Sequence, residues 1–133
     1  MSTAERFREA VERKELAAAA ELLAPDVVFH SPVTFHPFLG RETVSALLGE
    51  VAQAFEDFRY TDELAMDGGH ALIFRAIVAG TDREIEGIDL LRFDDAGLIA
   101  DFTVMLRPMS ALVPFAQAMA DRAQAAGLTT TRA

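Results

Sequence analysis

The chain contains 133 residues, of which 51% are hydrophobic, and this length and composition fit a single domain with one packed core. Its formal net charge of −9, from 21 acidic and 12 basic residues, would repel phosphate backbones and anionic lipid surfaces. We therefore expect neither nucleic acid nor a membrane among its partners.

Cysteine is absent from the sequence, which excludes disulfides, zinc thiolates and cysteine nucleophiles. The three histidines do not fall at a tight metal-ligand spacing, and there is no glycine-rich phosphate loop, so we expect no metal and no organic cofactor. The N-terminus lacks the basic-then-apolar order of a secretion signal, and no apolar run approaches the roughly 20 residues that span a bilayer. These features predict a cytoplasmic protein.

The first part of the chain has the pattern of helices followed by a short strand. Residues 2–5 have the form of a helix capping box, and apolar residues recur behind it at helical spacing, with a break in phase after Val11. That break predicts a bend or two successive helices, and Pro25 ends the helical region because proline disfavours a helical residue before it. A short strand over 27–30 and an ordered loop over 31–40 are predicted to follow.

The rest of the chain predicts one more helix, a set of strands and a final helix. The first of these helices follows Gly40, and its apolar face consists of Val44, Leu47, Leu48, Val51 and Phe55. Short turns separate the predicted strands, which cover residues 58–66, 71–79, 83–93 and 98–106. The last helix follows Pro108 and ends near Gly127. We assign a single domain to residues 3–126 and a frayed C-terminal tail to residues 127–133.

Consecutive strands joined by tight turns pair antiparallel, so the predicted class is α+β. Side chains alternate between the two faces of a strand, and in strand 83–93 one face carries Ile85, Gly87, Asp89, Leu91 and Phe93. A carboxylate with such apolar neighbours must be paired, protonated or turned toward a cavity. Asp89 is therefore the leading functional candidate, with a structural pairing as the alternative.

The opposite face of the predicted sheet mixes apolar and charged residues, among them Arg75, Ile77, Ile88, Leu90, Thr103 and Met105. Such mixed polarity is typical of a subunit interface, so we predict a homodimer formed through this outer face. A solvated face is the alternative. Asp101 shares this face and is predicted to be solvated or to lie at the dimer seam.

Two segments carry a resemblance to a known superfamily: residues 21–29, ELLAPDVVF, and residues 87–99, GIDLLRFDDAGLI. With the order of the elements, they make the chain resemble the nuclear transport factor 2-like (NTF2-like) superfamily, in its SnoaL-like and ketosteroid-isomerase-like branches. The resemblance covers about residues 3–125. It implies a cone, in which a curved, mostly antiparallel sheet wraps around N-terminal helices and leaves an apolar pocket.

The ketosteroid-isomerase-like branch implies a carboxylate base after the first strand and an oxyanion hole made of a tyrosine and a protonated aspartate. Carried over by position, the oxyanion aspartate is Asp89, the base position is Ser31 and the tyrosine position is near Phe7. Serine is not a base at neutral pH without help, and phenylalanine donates no hydrogen bond, so literal steroid isomerisation is disfavoured. A polyketide-cyclase-like reaction needs only an acid or base in an apolar cone.

The candidate catalytic residues are Asp89, as an acid or oxyanion partner, and His30, as an acid or base beside the cone. Alternation from Phe29 would turn His30 away from the pocket, so a surface position is its alternative. The candidate ligand-binding residues are Phe7, Ser31, His36, Phe55, Leu72, Phe74, Leu91, Phe102 and Val104. With no tryptophan and Tyr60 as the only tyrosine, the ligand is expected to be small and mostly apolar.

Three functions remain open on the sequence alone. The first is an isomerase- or cyclase-like enzyme that acts on an apolar carbonyl compound. The second is a non-catalytic module that binds a small apolar molecule. The third is an interaction module that uses the outer face of the sheet.

Overall fold

The computed structural model describes residues 1–128. In chain order, its elements are α1 (Thr3–Glu12), α2 (Leu16–Ala20), β1 (Leu23–His30), β2 (Phe38–Leu39), α3 (Arg41–Ala54), β3 (Phe55–Met66), β4 (Gly69–Val78), β5 (Glu84–Phe93), β6 (Ile99–Arg107) and α4 (Met109–Ala125). Helices and strands are mixed as predicted, which confirms the α+β class.

One six-stranded sheet holds all the described strands, in the order β2-β1-β6-β5-β4-β3. Strands β3 to β6 form an antiparallel meander, whereas β1 pairs parallel to β6 and antiparallel to β2. The sheet is open and curved, and the helices cover its inner face, as the NTF2-like resemblance implies.

An aromatic cluster joins the first helix to the sheet. The ring of Phe102 on β6 contacts Phe7 of α1 edge-on at a centroid distance of 5.5 Å, and it contacts Phe29 of β1 in the same manner at 5.2 Å. All three rings are buried, and such edge-to-face pairs add stability beyond the area they bury. The cluster therefore fixes α1 across the parallel pair of strands.

The capping box is present in half of its expected form. The backbone N–H of Glu5 donates to Ser2 Oγ at 3.1 Å, as predicted, but the Glu5 carboxylate accepts from the Ser2 hydroxyl and not from a backbone amide. One of the free amides at the start of α1 is thereby satisfied. The break after Val11 corresponds to two helices, α1 and α2.

Three boundaries differ from those predicted. Strand β1 begins at Leu23 and includes Pro25, which lies where the pairing with β6 shifts register, so its missing N–H costs no ladder bond. The predicted loop over 31–40 contains the short strand β2. Phe55, predicted on a helix face, starts β3 because α3 ends at Ala54.

The end of the predicted tail lies outside the described residues, from 129 onward. Within residues 1–128, Gly127 has a φ of 72° and follows the end of α4, and Leu128 packs against the core. None of the helices in this range combines the length and the apolar character that crossing a bilayer requires.

Gly87 lies on the inner face of β5, two residues before Asp89. A Cβ at this position would lie 2.3 Å from Cζ of Phe74 and 2.6 Å from Cδ2 of Leu106, so the absence of a side chain lets both pack against the strand. Gly49 in α3 is a contrast, since a Cβ there would meet no atom within 4 Å apart from its chain neighbours and the backbone of its own helix.

We predict that Gly87→Ala lowers the free energy of unfolding by about 1–3 kcal/mol, because the added methyl group overpacks the core. Gly49→Ala is the matched control, and it should raise that free energy by up to about 1 kcal/mol through helix propensity. Urea denaturation of both variants gives the two values. Equal stability of Gly87→Ala and the wild type would contradict the packing described here.

Candidate functional site

A cavity of about 600 Å³ lies between the inner face of the sheet and the helices. Its walls are mostly apolar and come from all four helices and from the sheet. The polar and charged side chains among its lining residues are Glu12, Lys14, Ser31, Thr34, Ser45, Gln53, Asp57, Tyr60 and Asp89. Of the ionisable ones, Glu12, Lys14 and Asp57 are exposed, whereas Tyr60 and Asp89 are buried. The buried ionisable groups of the cavity are therefore confined to one place.

That place is a hydrogen-bonded pair on the sheet wall. The hydroxyl of Tyr60 donates to Oδ2 of Asp89 at 2.8 Å, and each residue is only 6% exposed. Asp89 is the one charged residue among the buried residues of the described chain. A buried carboxyl group needs such a partner, since an unpaired one costs far more free energy.

The pair reaches across a strand. Asp89 on β5 lies opposite Leu72 of the central strand β4. Tyr60 on β3 lies opposite Phe74, which is the next inward-facing residue of β4 after Leu72. The Tyr60 side chain therefore leans diagonally over β4 to reach Asp89. Three neighbouring strands cooperate to build the site.

Two irregularities in β3 and an aromatic packing shell orient the tyrosine. The pairing of β3 with β4 shifts register between Glu56 and Arg59 and again after Tyr60, and Asp57 in the first shift has a φ of 52°. Bulges of this kind turn side chains to a new direction. The rings of Phe58 and Phe74 then contact Tyr60 edge-on, at 5.0 Å and 6.3 Å.

Burial governs the electrostatics of the pair. It raises the pKa of Asp89 to about 7, while the hydrogen bond from Tyr60 opposes that rise. Burial first, and then the negative charge of Asp89, raise the pKa of Tyr60 well above its usual value. Tyr60 is thus a permanent hydrogen-bond donor near neutral pH, and Asp89 populates both its acid and its carboxylate form.

Seven of the residues predicted for the site line this cavity. They are Asp89 and the ligand-binding candidates Phe7, Ser31, Phe55, Phe74, Phe102 and Val104. Leu72 and Leu91 also face inward but are fully buried and do not border the cavity. They form the packed layer around Asp89.

The two predicted histidines lie away from the cavity. His30 follows the inward-facing Phe29, so it points to the outer face, where its Nε2 lies 3.0 Å from Oδ2 of Asp101. His36 is exposed in the loop between β1 and β2. Neither ring lines the cavity, because strand alternation places His30 on the outer face and the loop carries His36 into solvent.

Tyr60 is a residue of this site that was not among the residues predicted from the sequence. The NTF2-like resemblance pointed to a tyrosine near Phe7 on the first helix, whereas the structure supplies one from β3. A signal existed, since Tyr60 shares the parity of Phe58 and is flanked by the polar residues Arg59 and Thr61. Among residues 1–128, no cluster of His, Asp and Glu could hold a metal ion.

Residues 4–102 match the SnoaL-like domain. The chain belongs to the SnoaL-like family. Among curated proteins, no sequence matches it.

Two solved structures are similar to this SnoaL-like chain in both sequence and fold. A steroid delta-isomerase from Pseudomonas aeruginosa is 39% identical, with 96% of this chain and 93% of that chain covered and a TM-score of 0.86. An uncharacterized protein with a cystatin-like fold from Silicibacter pomeroyi DSS-3 is 34% identical, with 92% and 85% covered and a TM-score of 0.85. An NTF2-like protein from Cytophaga hutchinsonii, 18% identical over 83% of this chain and 91% of that chain, shares the fold at a TM-score of 0.66.

The SnoaL-like site makes a prediction about stability and pH. The pKa of Asp89 is about 7 in the folded protein, against an ordinary value of 3.8, so between these pH values the folded state binds more protons than the unfolded state. The contribution of Asp89 to the free energy of unfolding therefore falls as the pH rises through that range. This contribution is complete only below the pKa that Asp89 has in the unfolded state.

We expect Asp89→Asn, which imitates the protonated acid, to be more stable than the wild type at pH 8 by roughly 2–4 kcal/mol, since each pKa unit corresponds to about 1.4 kcal/mol. The difference should shrink as the pH falls toward 5. Urea denaturation at a series of pH values measures it, with Asp62→Asn as an exposed control on β3. A constant difference across the series would count against a raised pKa.

Proposed function

We propose that the protein binds a small, mostly apolar carbonyl compound in the cone and acts on it as an isomerase- or cyclase-like enzyme, with Asp89 as acid or oxyanion partner. The observation that carries the proposal is the Tyr60–Asp89 pair, buried in the wall of a largely apolar cavity. Ligand sites are commonly of this kind, with apolar walls and a few well-placed polar groups.

The chemistry follows from the two protonation states. In its neutral form, Asp89 can donate a hydrogen bond or a proton to a ligand carbonyl, which stabilises negative charge on that oxygen. A catalytic acid or base is most effective when its pKa lies near the working pH, and the pKa of Asp89 is about 7. Tyr60 orients the carboxyl group by donating to one of its oxygens.

The likeness to a steroid delta-isomerase supports isomerase-like chemistry but not that particular substrate. Ser31 stands at the expected position of the base, and its Oγ accepts hydrogen bonds from the backbone amides of Val33 and Thr34. Phe7 stands at the expected position of the tyrosine. The base of the reaction would have to be a proton acceptor other than Ser31, such as the ionised form of Asp89.

A non-catalytic binding module is the second candidate. It is favoured by the fact that Tyr60 and Asp89 are the only buried ionisable groups among the described residues that line the cavity. A single carboxyl group suffices to bind a carbonyl. An isomerisation needs one proton to be removed and one to be returned, so the same group or water would have to carry out the second transfer.

The test uses acetylbiphenyl, an apolar methyl ketone, as the probe. We expect it to bind, its carbonyl stretching frequency to fall on binding, and its methyl protons to exchange faster in heavy water. Asp89→Asn should slow that exchange at least about 100-fold, as loss of an acid–base group does, and Tyr60→Phe should slow it less. Infrared and proton NMR spectroscopy measure the two effects.

Val113→Glu on the outer side of α4 is the control and should leave the exchange unchanged. Binding with a shifted carbonyl band but no accelerated exchange would favour the non-catalytic module. Exchange that is unaltered in Asp89→Asn would refute the role of this residue.

We also propose a homodimer formed through the outer face of the sheet. That face carries the half-exposed apolar residues Ile73, Ile77, Ile88 and Leu90, with Met105 54% exposed. Arg75 and Arg107 flank Glu86 there, at 3.3 Å and 3.0 Å. A surface that mixes apolar residues with paired charges is compatible with a subunit interface.

Sedimentation velocity should find a dimer for the wild type at micromolar concentration. We expect Met105→Glu to weaken it at least about tenfold, because a buried unpaired charge opposes association. Val113→Glu is a matched control, since Val113 is 50% exposed but lies on α4. A monomeric wild type, or equal effects of both substitutions, would rule this interface out.

A further inference from the structure

Two exposed carboxylates line the cavity in addition to the buried Asp89. They are Glu12, the last residue of α1, and Asp57, in the first register shift of β3. Enzymes commonly give the roles of acid and base to two carboxyl groups that lie in different environments. The surroundings of Glu12 connect it with the buried pair.

Glu12 belongs to a network of charged side chains that joins α1 to the sheet. Nε of Arg8, one turn earlier on α1, lies 3.4 Å from Oε1 of Glu12, and Nη1 of Arg8 lies 3.3 Å from Oε1 of Glu63 on β3. Oε2 of Glu63 lies 3.2 Å from Nε2 of His70 on β4. The carboxylate of Glu12 is therefore held by a side chain that is itself fixed to the sheet.

This network lies beside the Tyr60–Asp89 pair. Glu63 and Asp89 share one row across the sheet, since each is opposite the same residue of β4. After burial and the charge of Asp89, the negative charge of Glu12 also raises the pKa of Tyr60, whereas the positive charge of Arg8 lowers it. The interaction of two charges weakens with distance, so Glu12 and Arg8 lie near the Tyr60 hydroxyl.

We propose that Glu12 is the general base of the reaction and the acid–base partner of Asp89. The inference rests on the proposed function, and it supplies the proton acceptor that Ser31 does not provide. Arg8 is then a positioning residue, because it holds the Glu12 carboxylate toward the sheet.

The protons balance with these two groups alone. Neutral Asp89 donates a hydrogen bond to the ligand carbonyl while the Glu12 carboxylate removes a proton from the adjacent carbon. The electron pair of that C–H bond forms the double bond of an enolate, whose negative charge lies on the oxygen beside Asp89. Glu12 then returns a proton to the same carbon or to the far end of a conjugated double bond, and the second course is an isomerisation. Because Glu12 is exposed, its proton can exchange with solvent between the two transfers.

Exchange of the methyl protons of acetylbiphenyl in heavy water tests this assignment. Glu12→Gln should slow the exchange at least about 100-fold, as loss of a general base does. The Kd by calorimetry and the shift of the carbonyl band should stay unchanged, since Asp89 is intact. Glu12→Asp keeps the carboxylate, so its exchange rate should lie between those of the wild type and Glu12→Gln.

Glu9→Gln is the matched control. Glu9 also pairs with an arginine four residues away on α1, at 2.7 Å from Nη2 of Arg13, but it does not line the cavity. This variant should exchange the methyl protons at the wild-type rate.

The pH dependence separates Glu12 from the other possible base, the ionised form of Asp89. With Glu12 as the base, the exchange due to the protein should slow as the pH rises through about 7, because Asp89 then loses the proton that it shares with the carbonyl. A rate that rises through this range, wild-type exchange in Glu12→Gln, or a loss confined to Asp57→Asn would overturn the role of Glu12 alone. If the wild type does not accelerate the exchange, the proposed enzymatic function fails and this inference fails with it.

Discussion

The hydrogen bond from Tyr60 to Asp89 is the interaction on which the interior of this protein depends. An acid placed inside an apolar cone is tolerable only with a donor at hand or with a proton of its own, and the structure allows both. Much of the surrounding architecture serves that contact: bulges redirect β3, aromatic rings fix the tyrosine, and Gly87 makes room for Phe74. The same structural elements thus form the pair and the wall of the cavity around it.

Maintaining an open cone has a structural cost that the aromatic clusters offset. A cavity removes packing partners from the side chains that line it. Around this one, the rings of Phe55 and Phe115 stack at 5.0 Å, those of Phe58 and Phe74 at 4.7 Å, and Phe102 joins the first helix to the sheet. Aromatic rings that pack against one another hold their positions in the wall and recover part of that lost contact. These ring contacts therefore help to support the wall of the cavity.

Much of this was predictable from the sequence, and the exceptions have physical causes. Strict alternation along β5 correctly placed Asp89 inside, and the same rule explains why His30, next to Phe29, lies outside. Tyr60 was missed because its contact with Asp89 depends on how β3 pairs with β4, including two register shifts, and pairing with a distant strand is not visible in the local pattern. The start of β1 was predicted too late for a similar reason. Pro25 can lie within this strand because the pairing of β1 with β6 shifts register there. Local patterns fix faces within a regular strand but not across an irregular one.

With a pKa of about 7, Asp89 would couple the proposed ligand binding to the uptake of protons. A ligand that accepts a hydrogen bond selects the neutral acid, so near neutral pH each binding event withdraws a fraction of a proton from solution. The heat of association then contains the ionisation enthalpy of whichever buffer supplies that proton. Phosphate and Tris would return different apparent enthalpies for one and the same complex, and the slope between them counts the protons taken up.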